Sequence, residues 1–200
     1  YPDLIVGLGH LDFGLGSQDT PDQVDRLREQ GFAGLKVISP SAPLNDDRYF
    51  PFYERAQALG MPILFHTGFV GIVKDGSDGR YGVDSAAMRP IGLDRIARAF
   101  PALRMVAAHL GYPWYEEAVC MLNAHPNVYG DISGGSGKRP HEQKLLRFLR
   151  PSPGANLADE AEHPALVWFR KLCFGTDNPE PSVWVPVAQR ILDVLQIPEE

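Results

Sequence analysis

The feature that most constrains the fold is an alternation. Short apolar, glycine-punctuated runs alternate with stretches of helical pattern along the 200-residue chain. The runs read as strands over Leu4–Leu8 (extending to His10), Gly34–Ile38, Pro62–His66, Arg104–His109, Val128–Ile132 and Lys171–Gly175. Helices are expected from Thr20 to Gly31 and over Phe52–Leu59, Pro90–Ala99, Trp114–Asn123 and His141–Leu149, with a short one over Pro164–Arg170. A last helix carries Val183, Val187, Ile191 and Leu195 at four-residue spacing. Thr20 has the chemistry of a helix cap, Pro21 suits the first helical position, and Gln23 stands where a capping box closes. Gly31 and Gly60 sit where helices end. Such alternation argues for parallel βαβ units. The runs are apolar on both faces (IVGL, PILF, MVAA, LCFG), as in strands covered on both sides. Six units of about 33 residues match the repeat of an eight-fold barrel. The competing architecture, a nucleotide-binding doubly wound sheet, lacks its marker. Gly7-Leu8-Gly9 is followed by His10 and Leu11, with Asp12 where the third glycine of GxGxxG belongs.

Composition narrows the function classes. The net charge of −6 leaves no basic footprint for nucleic acid and no attraction to an anionic lipid surface. No apolar run approaches the roughly 18 residues of a membrane span. Two cysteines are too few for a disulfide framework, and with no signal or transit pattern they point to a reducing, cytoplasmic setting. Cys120, mid-helix, and Cys173, mid-strand, read as packing residues.

The chemistry gathers at strand ends. The third run ends Phe65-His66-Thr67-Gly68, the fourth Ala108-His109-Leu110-Gly111, and the sixth Phe174-Gly175-Thr176-Asp177-Asn178. In a barrel of parallel strands every C-terminal end opens on one face, where active sites form. A lone strand-end histidine is more often structural, and Asp177 before Asn-Pro would suit a turn or a cap. The same placement on three strands favours a functional cluster. Two imidazoles and a carboxylate are a partial ligand set for a divalent metal.

At these residues the chain resembles a family. GFAGLKV (Gly31–Val37), YERAQALGMPILFHTG (Tyr53–Gly68), FPALRMVAAHLGYPW (Phe100–Trp114), NVYGDISG (Asn127–Gly134) and LCFGTDNP (Leu172–Pro179) together look like the amidohydrolase-related (amidohydrolase 2) branch of the metal-dependent amidohydrolase superfamily. The resemblance implies a (β/α)8 TIM-barrel type fold. It implies hydrolysis of a C–O or C–N bond in a small molecule, with non-oxidative decarboxylation of an aromatic or unsaturated acid as the alternative. His66 would be a metal ligand. His109 would be a second ligand or an acid–base residue near the metal-bound water. Asp177 would bind metal and accept the proton of the attacking water. Zinc is the metal expected, with manganese as the other candidate. The family's first strand ends in HxH, which supplies two more ligands. His10-Leu11-Asp12 is the nearest approach here, and its segment resembles the family's third strand. So the six runs correspond to strands three to eight, and a single barrel domain over 1–200 is expected to lack the first two. Eight units would need roughly 260 residues. The start at Tyr1 rather than Met fits that expectation. A catalytically incomplete fragment or a decayed binding module is therefore a third reading. Two open sheet edges would also invite self-association into a homo-oligomer.

Other residues carry weaker signals. The long loop Thr67–Arg89 holds Phe69, Lys74, Arg80 and Arg89, and a cation there could receive a substrate carboxylate. Phe69, Arg89, Tyr112, Trp114 and Asn178 are the candidate substrate contacts. Lys36 reads as a partly buried lysine paired with a carboxylate at the barrel mouth, rather than as a carboxylated metal bridge. Asp131 is placed to hydrogen-bond within the site. His125, His141 and His163 read as surface or capping residues.

Overall fold

The computed structural model describes residues 5–71, 83–134, 170–177 and 181–195. Its strands are β1 (Leu8–Asp12), β2 (Gly34–Ile38), β3 (Ile63–His66), β4 (Met105–Ala108), β5 (Val128–Asp131) and β6 (Leu172–Cys173). They form one sheet in the order β1-β2-β3-β4-β5-β6, every adjacent pair parallel. The helices are α1 (Asp22–Glu29), α2 (Phe50–Ala58), α3 (Gly92–Ala99), α4 (Tyr115–Ala124) and α5 (Pro181–Leu195). From β1 to β5 strands and helices alternate as expected. The expected helix over His141–Leu149, residues 164–169 of the short helix before Arg170, and Asn178, Lys74, Arg80, His141 and His163 lie outside the described residues. Among the described residues no helix is long and apolar enough to cross a membrane.

The register sorts the side chains. One row runs Leu11, Val37, Phe65, Ala107 and Gly130, and a second runs Leu35, Ile63, Met105 and Val128. The eight side chains other than glycine in these rows are fully buried, facing the helix layer. Successive strand residues point to opposite faces. The row between them, His10, Lys36, Leu64, Val106 and Tyr129, therefore lies on the other, inner face and is less covered. Leu8, on that face at the sheet edge, is 41% exposed.

An aromatic cluster ties the helix layer to the sheet. Phe13, just past β1, stacks on Tyr49 at 4.1 Å between ring centres and meets Phe52 edge-on at 5.0 Å. Tyr53 meets Phe65 edge-on at 5.6 Å, and its buried hydroxyl donates to the Leu44 carbonyl at 2.7 Å. Burial pushes the Tyr53 pKa well up, so it is a neutral donor. On the other flank, Asn127 donates from its side-chain amide to the carbonyls of Phe100 and Leu103 at 3.1 and 3.0 Å.

Several local readings need correction. The first strand is Leu8–Asp12 rather than Leu4–His10, because pairing with β2 starts at Leu8 opposite Gly34 and only then places Leu11 in the core. Ile5 and Val6 stay 67% and 73% exposed. Thr20 caps nothing with its side chain; helix α1 starts after Pro21, with no side-chain cap. Cys120 and Cys173 are exposed rather than packed. His125 does stand at the C-cap of α4, but it is buried, with its Nε2 2.8 Å from Asp94 Oδ1. Gly31 and Gly60 end their helices with positive φ as expected.

Gly68 joins the two loops that follow β3 and β4. Its φ is +99°, and a Cβ there would stand 2.2 Å from the Tyr112 carbonyl oxygen and 2.7 Å from the Gly111 carbonyl carbon. The adjacent Phe69 amide donates to the Tyr112 carbonyl at 2.6 Å, which holds the loops at that separation. Gly68→Ala should therefore destabilise the protein by roughly 2–4 kcal/mol in urea unfolding. A change below about 0.5 kcal/mol would mean that the loops are not packed this closely.

Candidate active site

Because all six strands are parallel, their C-terminal ends share one edge of the sheet. That edge is also where the backbone leaves ordinary geometry. Ser39, one residue past β2, has φ 56°; His109 and Leu110, directly after β4, have φ 63° and 42°; Asp177, after β6, has φ 55°. Left-handed backbone costs a side-chain-bearing residue about 1–2 kcal/mol, and it persists only where surrounding contacts fix it.

The contacts that fix His109 are explicit. Its backbone N–H donates to Asp131 Oδ1 at 2.9 Å. The same carboxylate oxygen accepts the Ser133 N–H at 2.9 Å and the Ser133 hydroxyl at 2.5 Å. Ser133 Oγ in turn lies 2.9 Å from His109 Nδ1. Asp131 and Ser133 are 8% and 4% exposed, so this is a buried polar group with its partners in place. The His109 ring meets the His66 ring edge-on, centres 4.7 Å apart. His66 Nε2 lies 3.4 Å from the Phe69 carbonyl oxygen.

A cavity of about 430 Å³ opens on the inner face of the sheet. Leu8, Pro62, Leu64, Val106 and Ala108 give it an apolar floor, while His109, Asp131, Ser133, Cys173 and Asp177 stand around its strand-end side. Lys36 reaches into it from the middle of β2. Burial pushes the Lys36 pKa down, and the charges of Asp131 and Asp177 pull it back up. Cys173 is exposed as a whole residue, yet the cavity wall partly covers its thiol, and that desolvation with the Asp131 charge pushes the thiol up, so it stays protonated at neutral pH.

The expected site residues divide into groups. His109 and Asp177 line one cavity, and His66 meets it through the His109 ring. Phe69, Arg89, Tyr112 and Trp114 are not among its lining residues. Arg89 Nε donates to Glu117 Oε1 at 2.9 Å, and its guanidinium stands 5.6 Å from the centre of the Trp114 ring. Phe69 is 56% exposed, and Tyr112 packs edge-on against Tyr115 at 5.9 Å. Ser133, which nothing in the sequence singled out, is the buried link between Asp131 and His109. The signal available was its spacing: two residues after Asp131, it can fold back onto that carboxylate.

A metal is implied by the family resemblance, and the donor types of His66, His109 and Asp177 suit zinc or manganese. The arrangement does not complete a site. Among the described residues no three His, Cys, Asp or Glu side chains converge as a set able to hold a metal ion. His109 Nδ1 is engaged by Ser133, which leaves one ring nitrogen to offer.

Comparison with known proteins bears on the fold. No curated protein matches the chain in sequence. Among solved structures it is similar to an uncharacterized TIM-barrel protein from Bordetella bronchiseptica, with 18% identity, TM-score 0.62, and coverage of 98% of this chain and 69% of that one. It is also similar to 2,6-dihydroxybenzoate decarboxylase from Rhizobium, with 15% identity, TM-score 0.58, and coverage of 99% and 67%. A third is 5-carboxyvanillate decarboxylase from Novosphingobium aromaticivorans, solved with manganese and 4-hydroxy-3-methoxy-5-nitrobenzoic acid, with 19% identity, TM-score 0.55, and coverage of 99% and 60%. At this level of identity the likeness establishes the fold, and the six-stranded sheet is a partial TIM barrel. The model of the amidohydrolase family matches residues 1–200. Matched over its whole length, the chain belongs to the amidohydrolase family.

Proposed function

We propose that the chain provides the acid–base side of the active site of a small-molecule hydrolase that cleaves a C–O or C–N bond. The observation that carries this reading is the placement of His109 and Asp177 on one strand-end cavity, with His66 against the His109 ring. His109 accepts a proton from water as its oxygen attacks the substrate carbonyl carbon. The C–O or C–N bond then breaks, and the same proton passes to the departing oxygen or nitrogen. Asp177 accepts a hydrogen bond from the water and orients it. Lys36 places an ammonium group over the apolar floor, which suits an anionic substrate with an apolar body. Zinc or manganese would need ligands beyond those gathered here, so no step is assigned to the ion.

Decarboxylation of an aromatic acid is the second reading, favoured by the pairing of Lys36 with apolar walls. Solved structures of dihydroxybenzoate and carboxyvanillate decarboxylases share the fold and support it. In that reaction protonated His109 gives its proton to the ring carbon bearing the carboxylate. The C–C bond breaks and CO2 departs. A panel of lactones, amides and hydroxybenzoates, read both by acid release and by CO2 release, separates the two readings.

In the reaction that the panel identifies, His109→Ala should lower kcat/KM by about 10²–10⁴-fold. Full turnover by that variant would remove His109 from the chemistry. On the described residues alone, which gather no set of three ligands, a metal assay on the purified chain should find less than one tightly held zinc or manganese per molecule.

Lys36 gives a pH prediction with a definite sign. Its folded pKa lies below the ordinary lysine value of about 10.4, so its burial opposes folding while both states are protonated. The penalty fades as pH rises from the folded pKa toward the unfolded one, where the unfolded chain binds the extra proton. Lys36→Met should therefore be more stable than the parent at pH 7, with a gap that narrows toward pH 10 in urea unfolding. A gap that widens instead would reverse the assignment.

A further inference from the structure

Asp131, Ser133 and Gly134 stand close around one histidine, His109. Asp131 Oδ1 accepts three hydrogen bonds, from the His109 N–H, the Ser133 N–H and the Ser133 hydroxyl. A carboxylate is acceptor-only, and the three donors share the two lone pairs of this one oxygen. The serine hydroxyl has a single hydrogen, and at 2.5 Å that hydrogen points to Asp131. Only a lone pair of Ser133 Oγ is then left to face His109 Nδ1, 2.9 Å away. Two lone pairs cannot bond each other, so Nδ1 carries the hydrogen. In a neutral imidazole this leaves Nε2 as the basic nitrogen.

The neighbouring residues enforce this contact. Gly134 has φ +83°, and a Cβ there would stand 2.5 Å from His109 Nδ1 and 2.9 Å from its Cγ. A side chain at 134 would force either the ring or the backbone at 134 to shift. Asp131 also holds the left-handed backbone of His109 through the amide bond, so one carboxylate fixes both the main chain and, through the hydroxyl, the ring.

We propose that Asp131 and Ser133 are positioning residues that lock His109 in the Nδ1–H tautomer, presenting Nε2 as the nitrogen that accepts and returns the proton. The significance for turnover rests on the acid–base role of His109 proposed above; the tautomer itself does not.

The test is a long-range 1H–15N correlation spectrum of the full chain with labelled histidine, recorded without substrate or added metal at a pH where the ring is neutral. His109→Gln identifies the His109 signals by their loss. The expected result is a pyrrole-type shift on Nδ1 and a pyridine-type shift on Nε2. In Ser133→Ala those two shifts should converge or exchange, whereas Ser133→Thr, which keeps a hydroxyl, should retain the parent pattern. A parent spectrum with the hydrogen on Nε2 overturns the proposal, and this needs no variant to fold. So does an unchanged pattern in folded Ser133→Ala. The acid–base role is judged separately by turnover of His109→Ala, so either idea can fail alone.

Discussion

In a parallel ladder a slip of one residue exchanges the two faces of a strand. Here the register puts Leu11, Val37, Phe65 and Ala107 in one row and Leu35, Ile63, Met105 and Val128 in another, all against the helices. Each fully buried aliphatic or aromatic side chain of this kind is worth about 1.5–3 kcal/mol of transfer energy. A slipped register would bring Lys36 into the helix layer and turn Val37 to the cavity. The hydrophobic term therefore fixes which residues face the cavity. The aromatic cluster of Phe13, Tyr49, Phe52 and Tyr53 clamps the same register from the side of α2.

The inner face follows a different economy. Its polar groups are few, and each leans on another. Asp131 would be costly at 8% exposure without donors, and His109 and Ser133 supply them. The ammonium of Lys36 feels the charges of Asp131 and Asp177 across the cavity. Strain sits at this end too, in the left-handed residues after β2, β4 and β6. The opposite side of the sheet, where packing alone decides, shows regular strands and buried aliphatic rows.

Much of this was legible in the residues. The period of apolar runs identified all six strands, because a two-sided buried strand must be short and apolar. Histidine and aspartate at three strand ends were visible for the same reason: parallel topology sends those ends to one place. What could not be read depends on distant partners. Arg89 looked like a cation free for a substrate, but Glu117, 28 residues on, captures it through α4. Ile5 and Val6 looked like strand, but β2 offers them no ladder partner. Ser133 carries only the weak signal of its spacing two residues after Asp131, and its link to His109, 24 residues away in the chain, shows only in the fold. Lys36 reads in the sequence as paired with a carboxylate at the mouth; in the structure the charges of Asp131 and Asp177 act on it, behind the larger effect of its burial.

The separation of faces has a consequence for how such a chain can diverge. Positions along each strand alternate between those answerable to packing and those answerable to the ligand. Drift at Leu35, Val37, Ile63 or Phe65 is bounded by volume, whatever molecule occupies the cavity. Lys36, Leu64 and Val106 line the cavity instead, where the helices set no such bound. A lineage of this fold can thus retool its chemistry in steps of every second residue, leaving the scaffold sequence almost untouched.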